Sequence, residues 1–279
     1  MALFSKGGAI RSPEFHKKKQ KERNKKFAVI VIFVIFLIGL PIYLLRISPF
    51  LVSSIVVEGN SVTSYEDVAS IVKKNLEGYY MFIFPKSNAL LYPKKSITKD
   101  LLLNIPRLNN VKVSLINPKS LKIEIEERQP TGLYCLDVKV LSEGCYYIDN
   151  EGYIYSKAPS FSGDVYFVYS SEPVIEEPLG KSFLTLEEFK KLPPFINLIK
   201  QIGVSLHSLT ATNNEYYLIL TGGGRIIINK QDDLKVVVEN LESFLKDHAI
   251  TTVPNFLEDV SYIDMRFGNK VFYKLKSEI

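Results

Sequence analysis

RLNNVKVSLINPKSLKIEIEERQPTGLY, residues 107–134, holds two runs of the same period: Val111, Val113 and Leu115, then Leu121, Ile123 and Ile125. Successive side chains of an extended strand point to opposite faces, so a period of two reads as a strand with one buried face. Asn117 and Pro118 between the runs are turn residues, and the pair therefore predicts a hairpin. An isolated hairpin is at best marginally stable in water. The segments on either side must cover its apolar face.

The preceding residues supply two helices and a strand. Ser96 to about Ile105 reads as a helix stopped by Pro106. Further back, Thr63 and Glu66 form a T-x-x-E capping-box pattern ahead of Val68, Ile71, Val72 and Leu76 at helical spacing, and Gly78 ends that helix. SIVVE, Ser54–Glu58, is a β-branched strand stopped by Gly59 and Asn60. Between the helices lies GYYMFIFPKSNALLYPKK, residues 78–95, with two prolines and no clean period, which predicts a long ordered connection. Its aromatic residues Tyr79, Tyr80, Phe82 and Phe84 are expected to pack inward, with an interaction surface as the alternative.

Earlier still, Phe27–Leu45 (FAVIVIFVIFLIGLPIYLL) runs nineteen residues without a charge. At about 1.5 Å per residue it matches the roughly 30 Å hydrocarbon thickness of a bilayer and reads as one membrane-spanning helix. The run is longer than the apolar core of a signal peptide, and no small-x-small cleavage site follows it. Residues 1–26 hold nine Lys or Arg and two Glu, whereas the remainder of the chain has 26 basic and 28 acidic side chains. The net charge of +5 is thus a property of the tail. Only Arg46 borders the other side of the apolar run, so the tail is expected in the cytoplasm and everything from about Ile47 outside it. Anionic headgroups suit such a juxtamembrane cluster, a reading favoured over nucleic-acid binding.

After the hairpin, residues 129–279 predict a mainly antiparallel β domain with two helices. Strands are expected at Cys145–Ile148, Gly152–Tyr155, Val165–Tyr169, Ser205–Ala211, Glu215–Leu220 and Arg225–Ile228. Thr185 and Glu188 repeat the capping-box pattern before a helix expected to break or kink at Pro193 and Pro194. A second helix is expected from about Lys230 to His248, with Leu234, Val237, Val238, Leu241, Phe244 and Leu245 on one face. Cys135 and Cys145 flank a segment whose Ser142, Glu143 and Gly144 suggest a turn, so a disulfide between them is expected on the oxidising side of the membrane. A metal site on two cysteines is the weaker reading, since structural zinc takes four ligands and no histidine is near in sequence.

His16, His207 and His248 belong to no H-E-x-x-H, G-x-S-x-G or Cys-His arrangement, and His248 suits a helix C-terminus. Gly222, Gly223 and Gly224 lack the Lys-Ser/Thr of a phosphate loop and read as a hairpin turn. The carboxylate pairs Glu126/Glu127, Glu176/Glu177, Glu187/Glu188 and Asp232/Asp233 read as solvated or capping groups. These patterns point to no catalytic residue, cofactor or metal.

The order strand, helix, helix, strand, strand, the phrase SIVVEGN, the E-R-x-P of Glu127, Arg128 and Pro130, and the place just outside one anchor together resemble a POTRA domain of the FtsQ/DivIB family. YIDNEGYIYS, residues 147–156, is similar to that family's D-x-x-G strand pair, and YIDMRFGNKVFYK, residues 262–274, to its terminal strands. The loop at 157–164 matches no pattern of the family. The resemblance implies an α+β chain of four parts: a basic tail (1–26), a transmembrane helix (27–45), a POTRA-like β-α-α-β-β domain (47–128) and a β domain (129–279).

Proteins of this family are non-enzymatic bacterial division proteins whose outer domains link components of the division machinery at the septum. The same role, in the plasma membrane with no nucleic-acid or small-molecule partner, is what the likeness implies here. In the family, the terminal strands offer an edge to the single-pass protein FtsB, which brings FtsL. The matching residues are Tyr262, Asp264, Arg266, Val271, Phe272 and Tyr273, while Ile263, Met265 and Phe267 would bury the opposite face. The candidate edge of the first domain is Ser54–Glu58. Rival readings are a membrane-anchored envelope enzyme and another POTRA-type binding module. An outer-membrane transporter is disfavoured because no series of barrel strands follows.

Overall fold

A computed structural model describes residues 13–137, 144–160 and 165–278. Helix α1 (Pro13–Arg46) contains the uncharged run, passes through Pro41, and is long and apolar enough to cross a membrane. The chain divides into two compact units, and α1 belongs to the first.

The first unit comprises residues up to Leu101 together with Val111–Ile125. Its elements are β1 (Ser54–Glu58), α2 (Tyr65–Leu76), the two-residue strands β2 (Tyr79–Tyr80) and β3 (Phe84–Pro85), α3 (Lys94–Asn104), β4 (Leu108–Asn117) and β5 (Ser120–Glu127). β5 lies between β1 and β4, and its pairing with β1 is parallel, from Ser54 opposite Ser120 to Glu58 opposite Glu124. The expected alternation holds. Val111, Val113, Leu121, Ile123 and Ile125 are buried, as are Val68 and Val72 of α2 and Ile97 and Leu101 of α3. Asn117 Oδ1 accepts from the Lys119 N–H at 2.9 Å and closes the turn.

The cap of α2 is displaced by one residue from the expected capping box. Ser64, rather than Thr63, is the N-cap, its side chain accepting from the Asp67 N–H at 3.0 Å, and Thr63 is buried. Ser64 and Asp67 repeat the spacing of Thr63 and Glu66, so the pattern fits two registers, and burial of Val68, Ala69 and Val72 selects the later one.

The second unit comprises Leu102–Asn110 and the chain from Glu126 onward. It contains β6 (Gly132–Cys135), β7 (Cys145–Ile148), β8 (Ile154–Lys157), β9 (Val168–Ser171), α4 (Leu186–Gln201), β10 (Leu206–Ala211), β11 (Glu215–Leu220), β12 (Arg225–Asn229), α5 (Leu234–Leu245), the one-turn helices α6 (His248–Thr251) and α7 (Phe256–Asp259), β13 (Val260–Phe267) and β14 (Lys270–Leu275). One nine-stranded sheet runs β14-β13-β12-β11-β10-β9-β6-β7-β8. Five neighbouring pairs are antiparallel and three are parallel, β9/β10, β12/β13 and β6/β9, so the sheet is mixed. Parallel neighbours cannot be joined by a tight turn. The α4 segment makes the crossover from β9 to β10, and α5 to α7 make that from β12 to β13. Both long helices bury one face on the sheet, with Phe189, Leu192 and Ile199 of α4 and Val237, Val238 and Leu241 of α5 in one core with Leu218, Ile226 and Ile263.

Two expectations for these helices need correction. The α4 helix is continuous through Pro193 and Pro194 under an intact Thr185–Glu188 capping box; burial of Leu192, Phe195 and Ile196 around the prolines opposes the loss of two helical donors. The α5 helix is shorter than expected, because Asp233 caps it and accepts from the Lys235 N–H at 2.9 Å. His248 therefore opens a short helix instead of closing a long one.

Cys135 and Cys145 face each other across β6 and β7 and form a disulfide with S–S 2.00 Å, as expected. Gly144 has φ +81°, while Ser142 and Glu143 lie outside the described residues, as do 161–164 of the loop that matched no pattern. The E-R-x-P and D-x-x-G segments meet in space. An Arg128 guanidinium N–H donates to Asp149 Oδ2, whose other oxygen accepts from the backbone of Glu151 at 2.8 Å and Tyr153 at 2.9 Å. Arg128 also lies 4.3 Å from the Tyr153 ring centroid.

Candidate partner-docking edge

β14 ends the nine-stranded sheet, with no described strand beyond it. A terminal strand presents backbone donors and acceptors on its outer side. What distinguishes such an edge chemically is what its side chains do, and the six residues expected here divide into two groups.

Asp264 and Arg266 of β13 are committed internally. The Arg266 guanidinium donates to Asp264 Oδ1 at 2.9 Å and Oδ2 at 2.5 Å, and to Glu215 Oε1 on β11 at 2.5 Å. Tyr217 completes the network by donating its hydroxyl to Glu215 Oε2 at 2.7 Å. The Arg266 hydrogen bonds hold the Asp264 carboxyl below its ordinary range. The Tyr217 hydroxyl and then Arg266 do the same to Glu215. Asn229 of β12 donates to the Arg266 carbonyl at 3.2 Å and to Asp232, tying the network across the sheet. This arrangement fixes β13; it leaves little of Asp264 for a partner, since its side chain is 10% exposed.

Phe272 and Tyr273 of β14 are exposed, and Val271 is half-buried against the core. Tyr273 packs its ring edge-on against Phe256 of α7, centroids 5.3 Å apart, and beside Phe244 of α5. Phe272 belongs to the other face of the strand, where it meets Phe267 edge-to-face at 5.2 Å. Tyr262 is partly exposed on β13, opposite Lys274.

Phe267 was expected to be buried and is instead exposed at 56%. The pairing of β13 with β14 shifts register between Asp264 and Phe267, so Ile263, Asp264 and Met265 are all buried and the alternation is lost. A period-two reading carried past this bulge puts Phe267 on the wrong face. The available signal was the Gly268-Asn269 turn directly after it, since the end of a hairpin commonly leaves the core. The site is thus an open strand edge flanked by two exposed phenylalanines.

At the other candidate edge, β1 ends the three-stranded sheet, as expected, with Val56 exposed and Tyr65 donating to the Ile55 carbonyl at 3.1 Å. No three His, Cys, Asp or Glu side chains among the described residues form a metal-ligating set. Glu187 and Glu188 occupy the first turn of α4, and Asp232 and Asp233 the approach to α5, as capping and turn groups. No protein-family model matches the chain, and no curated protein matches it.

Proposed function

We propose that the protein is a bitopic membrane scaffold of the bacterial cell-division machinery, of the FtsQ/DivIB type, that acts by binding and performs no catalysis. Residues 1–26 lie in the cytoplasm, α1 crosses the plasma membrane, and the chain beyond Arg46 stands outside it at the septum. The β-α-α-β-β order of the first unit, with β5 between β1 and β4, supports a POTRA-type module. The observation that carries the reading is the open β14 edge with Phe272 exposed at 51% beside Phe267. An extended segment of an FtsB-like partner, accompanied by an FtsL-like one, adds a strand there; main-chain bonds give affinity and the phenylalanines give specificity.

Crosslinking in growing cells from a photoreactive residue at Phe272 tests this. Small single-pass proteins with coiled-coil sequences are expected in the captured band; capture of cell-wall material or outer-membrane proteins alone would refute the assignment. Backbone N–H groups alternate sides along a strand. Of Val271→Pro and Phe272→Pro, one therefore removes an outward donor and weakens binding with the fold retained, while the other removes a donor to β13 and loosens the hairpin.

A further inference from the structure

Of the aromatic residues linking α2 to α3, Tyr79, Tyr80 and Phe82 are exposed instead of packing inward, while Phe84 is half-buried. β2 and β3 pair as a miniature hairpin, Tyr79 opposite Pro85 and Tyr80 opposite Phe84, leaving Met81, Phe82 and Ile83 as its tip. Met81 is 82% exposed and Phe82 94%. Both have left-handed backbones, φ +48° and +60°, a conformation uncommon for bulky residues and sustained only where surroundings enforce it. Ile83 donates its N–H to the Tyr80 carbonyl at 3.0 Å and closes the tip.

The anchor helix does the enforcing. Arg46, first residue after the uncharged run, donates Nε–H to the Ile83 carbonyl at 2.9 Å and a terminal N–H to the Phe82 carbonyl at 3.3 Å, with its guanidinium 5.8 Å from the Tyr79 ring centroid. Asn88, fully buried, donates its amide to the Leu45 carbonyl at 2.8 Å. Leu45 and Arg46 mark the outer end of the uncharged run. The tip is therefore pinned at the depth where hydrocarbon gives way to headgroups, a zone that favours aromatic side chains.

We infer that the Tyr79–Ile83 hairpin is a second membrane contact: Met81 and Phe82 insert into the outer interfacial layer of the same bilayer that α1 spans. The occupant of this exposed apolar tip is lipid because its position is set by the last turn of the spanning helix. Two contacts, one through the membrane and one at its surface, hold the first unit at a defined orientation to the bilayer. The inference rests on the reading of α1 as a membrane-spanning anchor.

The chain contains no tryptophan, so a single introduced indole reports one place. Full-length Phe82→Trp and Phe36→Trp proteins would each be placed in protein-free lipid nanodiscs containing phosphatidylcholine and phosphatidylglycerol, with bromine near the carbonyl end or the methyl end of the acyl chains. The expected result is blue-shifted emission for both, Phe82→Trp quenched mainly by the shallow bromines and Phe36→Trp by the deep ones. Quenching of Phe36→Trp with water-like, unquenched emission from Phe82→Trp would overturn the inference and leave the anchor standing; that is also the outcome if a protein partner covers the tip. Absence of quenching in both would overturn the inference together with the anchor.

Discussion

Gly59 follows β1 with φ +86°, and a Cβ built on it would sit 2.1 Å from the Ile125 carbonyl oxygen of β5. Both backbone conformation and space demand glycine there. Gly59→Ala is expected to lower stability by about 1–3 kcal/mol, read as a lower thermal midpoint of the full chain in detergent micelles. The network on β13 makes a pH prediction. Asp264 and Glu215 have folded-state pKa values below their ordinary ones, so the unfolded chain binds more protons. Their contribution is complete above about pH 5 and is lost as pH falls through the folded-state values, below the usual carboxylate range of about 4. One-third of the Arg266 side chain is exposed, which limits the pair contributions to about 1 kcal/mol together. In urea titrations from about pH 6 down to about pH 3, which span the ordinary carboxylate range, Arg266→Met should flatten the acid side of the stability curve. An unchanged curve would mean that these bonds do not persist in solution.

At the level of elements, β6 and β7 are held by a cross-link between directly opposed residues, Cys135 and Cys145. Their sequence separation of 10 closes a short loop, for which removal of chain entropy predicts about 2–3 kcal/mol. The Cys135→Ala/Cys145→Ala protein should lose that much unfolding free energy in urea titration, and dithiothreitol should lower the native midpoint while leaving the double variant unaffected. The elements most readable from sequence were those with self-contained chemistry. Thr185 and Glu188 announced the start of α4, Asn117 closed the β4–β5 turn, and Glu215–Leu220 was bounded correctly on both sides. Readings failed where a neighbour decided between equivalent local patterns. Core burial chose Ser64 over Thr63 as a cap, a bulge turned Phe267 outward, and Arg46 with Asn88 drew an aromatic stretch to the end of α1.

For the whole chain, the asymmetry of charge about Phe27–Leu45 carries the proposed orientation. Both native cysteines are in the disulfide, so an introduced thiol is a clean reporter. In spheroplasts, Lys25→Cys should resist a membrane-impermeant maleimide until lysis, and Ser277→Cys should react at once; the reverse pattern would invert the topology. The apolar helix, the α+β composition, the order of most of the longer strands and helices and the cysteine pair were legible in residue pattern, because each depends on periodicity, caps or length within a few turns of chain; β6, the β2–β3 hairpin and the short helices α6 and α7 were not. Sheet order was not. That β9 lies between β10 and β6, that β12 and β13 run parallel, and that β14 is left as an open edge depend on which distant segments share a core, and alternation along a strand carries no information about its neighbour. The same holds for the candidate surfaces: Phe272, Phe267 and Phe82 are apolar residues like those of the core, and only packing of the remaining chain determines that these three are left facing outward.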